Sequence, residues 1–259
     1  MHLHPLKRFG QNFLTDQNVI KKIIAEFAPK MEDTVIEIGP GRAALTEYLL
    51  KMVNNFYAVE IDKKVAAELK ESFPGLNLIV ADFLKTNLHE IHSGSQHPIR
   101  VIGNIPYNIT SSILFKLIED RGIIDDAILM VQYEVAKRMT AKRKSKDYGI
   151  LAVILNHFAD VQLCFKVSRN VFYPKPNVDS AIIHLKFKND EDKELDNNLF
   201  IQLVKTSFGK RRKTLKNSLR NSIFDSNFLN DFDIDLNLRA EHLDIKDFIN
   251  LTKFFQVHR

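Results

Sequence analysis

One cysteine, Cys164, is all the thiol chemistry this chain has, so no disulfide can form within it. That excludes a disulfide scaffold and makes a reducing compartment the natural setting. Long apolar runs are missing as well. The longest, residues 150–155, falls far short of the roughly 18 residues that a membrane-spanning helix needs. The opening segment, His2-Leu3-His4-Pro5-Leu6-Lys7-Arg8, lacks the apolar stretch of a secretory signal. The expectation is a cytoplasmic protein with no membrane partner. Internal repeats and low-complexity segments are also absent.

What is present is an ordinary globular composition, with 45% hydrophobic and 27% charged residues, which argues against global disorder. A chain of 259 residues allows one large domain, or a large one and a small one. Basic residues outnumber acidic ones by 37 to 32, giving a net charge of +5. That hints at a polyanionic partner, and the placement of the charge matters more than its sum.

One composition shift divides the chain. Residues 188–196 carry five acids and one apolar residue, a run that cannot bury itself and reads as a solvated linker. The predicted domains are therefore 1–189 and 190–259. In the first, β-branched and apolar runs at 34–38, 56–59, 76–80, 99–102 and 127–131 alternate with helical patterns at 17–28, 43–51, 60–69, 110–120 and 133–141. Such alternation implies βαβ units and a mostly parallel sheet. Residues 151–167 and 180–187 read as β-rich without an intervening helix, which suggests an antiparallel edge. The second domain reads as helical throughout, a small module resting on the first.

Four strand ends carry chemistry. Gly39-Pro40-Gly41-Arg42-Ala43 closes the first strand and opens a helix. Glycines there permit a tight turn and close approach of backbone to a ligand, although such turns also have purely structural uses. Glu60 ends the second strand, twenty-one residues after Gly39, where an acid accepts hydrogen bonds from ribose hydroxyls. Asp82 follows the third strand and suits an adenine amino group; helix capping is the plainer use of both acids. The fourth strand ends in Asn104-Ile105-Pro106-Tyr107. Adenine's exocyclic amine is a poor nucleophile because its lone pair is delocalised into the ring. An Asn oxygen and a backbone carbonyl accepting its two hydrogens would localise that lone pair, with proline restraining the turn and tyrosine stacking on the base.

These motifs, with Lys7-Arg8-Phe9-Gly10-Gln11-Asn12-Phe13-Leu14 and Phe172-Tyr173-Pro174-Lys175-Pro176-Asn177-Val178-Asp179-Ser180, give a chain that resembles the ribosomal RNA adenine N6-dimethyltransferase family over nearly its whole length. The small-subunit enzymes are the nearer match. The resemblance implies a Rossmann-like class I methyltransferase, with a seven-stranded, mostly parallel sheet and a small helical C-terminal domain. It implies S-adenosylmethionine as methyl donor, in a pocket of Asn12, Leu14, Gly39, Gly41, Glu60, Asp82 and Asn104. It implies that Asn104 and the carbonyl of Ile105 hold the target amine, that Pro106 shapes the turn, and that Tyr107 and Phe172 stack on the flipped base. Asn12, Leu14 and Phe172 rest on the resemblance alone. The implied substrate is two adjacent adenines in the 3′-terminal hairpin of 16S rRNA, within the 30S subunit, late in ribosome biogenesis. A monomer suffices. Arg42 departs from the family pattern, which has a small or apolar residue there.

Residues 197–224 contain no acid but hold Lys210, Arg211, Arg212, Lys213, Lys216 and Arg220, a phosphate-binding footprint. On a helix, Arg212, Lys216 and Arg220 would share a face. Lys137, Arg138, Lys142, Arg143, Lys144 and Lys146 form a second basic cluster. Cys164 lies in an apolar stretch and reads as a structural thiol, which disfavours pyrimidine carbon chemistry. The nine histidines form no ligand set, so no metal is expected. Two rival functions stay open: a large-subunit RNA adenine methyltransferase of the antibiotic-resistance kind, and a non-catalytic RNA-binding assembly factor. A nicotinamide dehydrogenase leaves the Asn-Ile-Pro-Tyr block unexplained.

Overall fold

A computed structural model describes residues 12–95, 97–188, 192, 194–210, 212–224 and 234–258. In chain order these form β1 (Phe13–Leu14), α1 (Gln17–Phe27), β2 (Thr34–Ile38), α2 (Thr46–Leu49), β3 (Asn55–Glu60), α3 (Lys63–Ser72), β4 (Asn77–Val80), α4 (Leu88–His92), β5 (Ile99–Asn104) and α5 (Thr110–Glu119). β6 (Ile124–Gln132), α6 (Tyr133–Met139), α7 (Ile150–Phe158), β7 (Ala159–Val167), β8 (Phe172–Tyr173), β9 (Ser180–Phe187), α8 (Asn197–Phe208), α9 (Leu215–Leu219) and α10 (Ile245–Val257) follow. Seven strands form one sheet in the order β4-β3-β2-β5-β6-β9-β7, while β1 and β8 make a separate two-stranded ribbon. Strands β4, β3, β2, β5 and β6 pair in parallel, and β9 runs antiparallel to β6. The expected seven-stranded α/β fold, mostly parallel with an antiparallel partner toward one edge, is what forms.

The chain divides into two compact units, Met1–Ala136 with Gln162–Phe187, and Lys137–Val161 with Lys188–Arg259. In the first, helix α1 shows how local sequence becomes packing. Asp16 caps it by accepting the amide N–H groups of Asn18 and Val19. Ile20, Ile23, Ile24 and Phe27 line its buried face, and the helix stops at Ala28 in the left-handed region. Every residue of β2 is buried, as a central parallel strand requires. Arg100 on β5 braces the sheet. It forks onto both Asp126 oxygens at 2.7 Å, reaches Asp33 at 2.7 Å, and donates to the carbonyl of Phe27. Burial pushes the Asp126 carboxyl up, but hydrogen bonds from Arg100 and His184 outweigh it and hold the group below its usual range.

The second unit corrects three expectations. Residues 150–158 form helix α7 rather than the start of a β-rich stretch. A continuous apolar run has no period that separates a buried strand from a buried helix. Asn156, inside α7, donates to the carbonyls of Ala152 and Met139. With α7 joined to α8 and α10, the unit is larger than residues 190–259 alone and buries Phe158, Phe200, Phe248 and Phe255. The expected linker is partly structured as well. Leu195 is buried, Asp196 caps α8, and Gln256 bonds to the backbone of both Asp196 and Glu194. Third, the basic segment is not one long helix. Thr214 caps α9, which spans only Leu215–Leu219, and Arg220 is its C-cap. Arg212 therefore precedes the helix and shares no helical face with Lys216 and Arg220. Arg211 lies outside the described residues, as do Lys7 and Arg8.

Candidate active site

The carboxyl ends of β4, β3, β2 and β5 open side by side, and one cleft lies across them in the first unit. That is where open parallel sheets bind ligands. Asn12, Leu14, Gly39, Gly41, Glu60, Asp82, Asn104, Ile105, Pro106 and Tyr107 all line it. The structure thus gathers ten residues from five separate stretches of the chain.

The β2 turn is built from left-handed backbone, with φ +63° at Gly39 and +53° at Gly41. A Cβ at Gly41 would come within 3.0 Å of the Phe13 ring. The turn is therefore a cradle that side chains would fill. Glu60 is buried and holds the loop around it: one oxygen accepts the Asp62 N–H at 2.8 Å, the other the Gly41 N–H at 3.4 Å. Burial pushes its carboxyl upward, while those two N–H groups pull the other way. Asp82 does cap a turn, accepting the Leu84 N–H at 3.0 Å, yet it also lines the cleft.

On β5, the Asn104 Nδ2 donates to the carbonyl of Asn12 at 2.8 Å. That bond commits the amide nitrogen and leaves Oδ1 as the accepting atom. Pro106, with φ −61°, precedes the 3₁₀ turn of Tyr107–Ile109, and its carbonyl accepts the Ile109 N–H. The Tyr107 hydroxyl shares a 2.7 Å hydrogen bond with the hydroxyl of Ser180, a fully buried residue that opens β9. Burial raises the phenol pKa, so the group stays neutral.

Phe172 is not on the cleft wall. It pairs with Leu14 across the β1–β8 ribbon, is 5% exposed, and packs in the apolar cluster with Leu14, Ile24 and Val167. Its neighbour Tyr173 is the exposed ring, at 57%. Lys210, Arg212, Lys213, Lys216 and Arg220 lie in the second unit, apart from the cleft residues in the chain's division. Sequence reasoning gave no role to Glu37, Phe13 or Ser180. Glu37 breaks an otherwise apolar strand, and that was the available signal. It is 2% exposed, lines the cleft, and accepts the Thr46 hydroxyl at 2.6 Å. Burial pushes its carboxyl up to about 8, against the Thr46 hydrogen bond, with the Glu60 charge adding to the rise.

The arrangement brings together a glycine cradle, the buried acids Glu37 and Glu60, Asp82 and the Asn104 amide at neighbouring strand ends. Comparison with known proteins places the chain in a family. Residues 4–257 match the model of the family described as ribosomal RNA adenine dimethylase. The ribosomal RNA small subunit methyltransferase A of Chlorobium luteolum is 47% identical over 251 residues, covering 96% of this chain and 89% of that protein. Its namesake in Francisella tularensis subsp. novicida is 43% identical, with 96% of each chain covered. Among solved structures, a dimethyladenosine transferase from Plasmodium falciparum superposes with a TM-score of 0.78 at 28% identity, over 95% of this chain and 98% of its own. The 23S rRNA methyltransferase ErmE follows with 0.68 at 25% identity, over 95% of this chain and all of its own. With a family match over almost the full length and the strand-end cleft that goes with it, the chain belongs to the ribosomal RNA adenine dimethylase family.

Proposed function

We propose that this chain dimethylates N6 of two adjacent adenines in the 3′-terminal hairpin of 16S rRNA, acting as a monomer on the small (30S) subunit in the cytoplasm. The supporting relatives are named for small-subunit RNA, which favours this substrate over large-subunit RNA. The cleft residues fit S-adenosylmethionine. Glu60 would accept its ribose hydroxyls and Asp82 its adenine amine. Gly39 and Gly41 would let the backbone approach it, and Asn12 and Leu14 would close the near side. When bound, the cofactor supplies an electrophilic methyl on a sulfonium.

The chain's own work is to prepare the amine. Asn104 is the observation that carries the reading, because its Nδ2 is committed to Asn12 and its Oδ1 is left to accept. That oxygen and the Ile105 carbonyl would accept hydrogen bonds from the amine, which localises the nitrogen lone pair toward the methyl, and the proton lost on N-methylation leaves to solvent. Preorganised dipoles and orientation do this without a strong base. Tyr107, pinned through Ser180, offers one face for the base to stack on. Phe172 takes the other face, which requires its ring to leave the cluster around Leu14. Lys210, Arg211, Arg212, Lys213, Lys216 and Arg220 contact RNA phosphates, which position the substrate without specifying it.

The test is transfer of labelled methyl to undermethylated small subunits, with large subunits and free RNA in parallel. Label on small-subunit adenine N6 alone is the expected result. Label on large-subunit RNA would move the chain to the resistance enzymes, and tight binding without label would make it an assembly factor. Asn104→Ala should cut transfer by about 10²–10³-fold while the melting temperature holds; near-normal turnover would remove Asn104 from its role.

A further inference from the structure

Residues 104–107 are tied to the rest of the first unit at both ends. At one end the Asn104 Nδ2 donates to the Asn12 carbonyl at 2.8 Å. At the other the Tyr107 hydroxyl meets the Ser180 hydroxyl at 2.7 Å. Both anchors come from one assembly. Asn12 leads into β1, β1 pairs with β8, and the chain beyond β8 runs through residues 174–179 to Ser180. Thr15 strengthens that joint, its N–H reaching the Val171 carbonyl at 2.9 Å.

The two partners of the second tie are unequal. Ser180 opens β9, pairs with Gln132 of β6 and is fully buried. The residue before it is held three ways. Asp179 pairs with Lys166 at 2.7 Å, accepts the Arg169 N–H at 3.0 Å, and receives the Tyr133 N–H on its carbonyl at 2.9 Å. The sheet and these bonds fix where the Ser180 hydroxyl lies. Without water, a buried hydroxyl needs a protein partner, and Tyr107 supplies it. Tyr107 starts from the opposite condition. It lies on the single 3₁₀ turn Tyr107–Ile109, is half-buried, and lines the cleft. Turns of this kind have poorer hydrogen-bond geometry than α-helices, so the ring's placement depends on what grips it. Two side-chain torsions set that placement. A hydrogen bond at the phenol tip, the point farthest from the backbone, restrains both.

We propose that Ser180 is a positioning residue for methyl transfer: it holds the Tyr107 ring in the orientation on which the target base stacks, so that the amine meets its acceptors and the methyl together. The inference rests on the adenine methyltransferase reading above and extends it to a residue outside the cleft wall. Ser180 is buried and meets neither ligand, so it acts through Tyr107. The bond fixes the angle of the ring and leaves its stacking area unchanged. Its loss therefore costs alignment in the bound complex, read in kcat, more than binding, read in KM.

The experiment is a double-mutant cycle on the full chain: wild-type, S180A, Y107F and the S180A/Y107F double variant, assayed for methyl transfer to undermethylated small subunits and for melting temperature. Each single change removes the same hydrogen bond from one side. S180A and Y107F should each lower kcat by about fivefold and leave KM for S-adenosylmethionine and for the subunit within about twofold. The double variant should also fall by about fivefold, not by the roughly 25-fold product of independent effects. A serine with a merely structural role would lower the melting temperature, and its effect on kcat would multiply with that of Y107F. That result overturns the proposal, as does wild-type kcat in S180A. A loss in Y107F far beyond that in S180A also overturns it, because the phenol hydroxyl would then act in its own right. Should S180A fail to fold, S180C keeps the side chain's bulk but replaces the hydroxyl by a weak hydrogen-bonding group. A kcat matching that of Y107F supports the proposal there, and a wild-type kcat overturns it. If wild-type protein labels no adenine, the functional reading itself fails; if it labels and only the cycle misses, Ser180 alone is misassigned.

Discussion

Single side chains in the cleft are tuned by burial before any ligand arrives. Glu37 is the clearest case, because its carboxyl rises from an ordinary 4.5 to about 8. Between those values the folded chain holds a proton that the unfolded chain has released. Stability therefore falls as pH climbs through that window and levels off above about 8. Glu37→Gln keeps a neutral polar group of the same shape and has no proton to lose. Its melting temperature relative to wild type should rise steadily from pH 5 to pH 8.5. A constant difference across that range would mean that Glu37 is ionised in the fold throughout. Asn104 shows another kind of tuning at this scale. Its Nδ2 is committed to the Asn12 carbonyl at 2.8 Å, so a residue remote in sequence orients the amide.

Elements carry the next level of precision, through how closely strands approach. Gly103 precedes Asn104 on β5 and pairs with Ile38 of β2. A Cβ there would lie 2.9 Å from the Ile38 carbonyl oxygen and 3.0 Å from the Ile38 Cβ. Neither is the end of a flexible side chain, so the strands would have to part. Gly103→Ala should cost about 1–3 kcal/mol in thermal unfolding. It should also weaken cofactor binding, measured by calorimetry, because Asn104 and the Gly39 turn would shift apart. Loss of stability with unchanged affinity would show that the strand ends absorb the shift. The short ribbon of β1 and β8 works at the same scale. Two residues on each side suffice to bring Asn12–Leu14 against the mouth, with Leu14 set opposite Phe172.

Across the whole molecule, opposite charges are sorted into different places. Acids gather in the cleft of the first unit, whereas Lys210, Arg212, Lys213, Lys216 and Arg220 belong to the second. A net charge of +5 understates both. Replacing Arg212 and Lys216 by alanine should weaken binding to small subunits at low salt. It should also reduce the slope of log affinity against log salt by roughly 1 for each phosphate that is no longer neutralised. Weaker binding with an unchanged slope would point to disturbed packing rather than to phosphate binding. Filter binding across a salt series measures both.

Much of this was legible in the chain alone, for local reasons. Strand and helix alternation, the glycine turn, the acids at successive strand ends and the Asn-Ile-Pro-Tyr block each depend on residues within a few positions of one another. Backbone sterics and hydrophobic periodicity act over that range. Helix α7 was not legible, because an unbroken apolar run fits a buried strand as well as a buried helix, and only its packing with α8 and α10 decides. Nor was the stacking of Arg42 on Phe13 and Tyr173, the burial of Phe172, or the bond from Tyr107 to Ser180. Those interactions join positions far apart in the chain, and their geometry exists only once the sheet has set its register. The sequence by itself determined which residues stand at the glycine turn and at the strand ends. The tertiary structure decided which of them face the cleft, which way their polar atoms point, and how much water they keep.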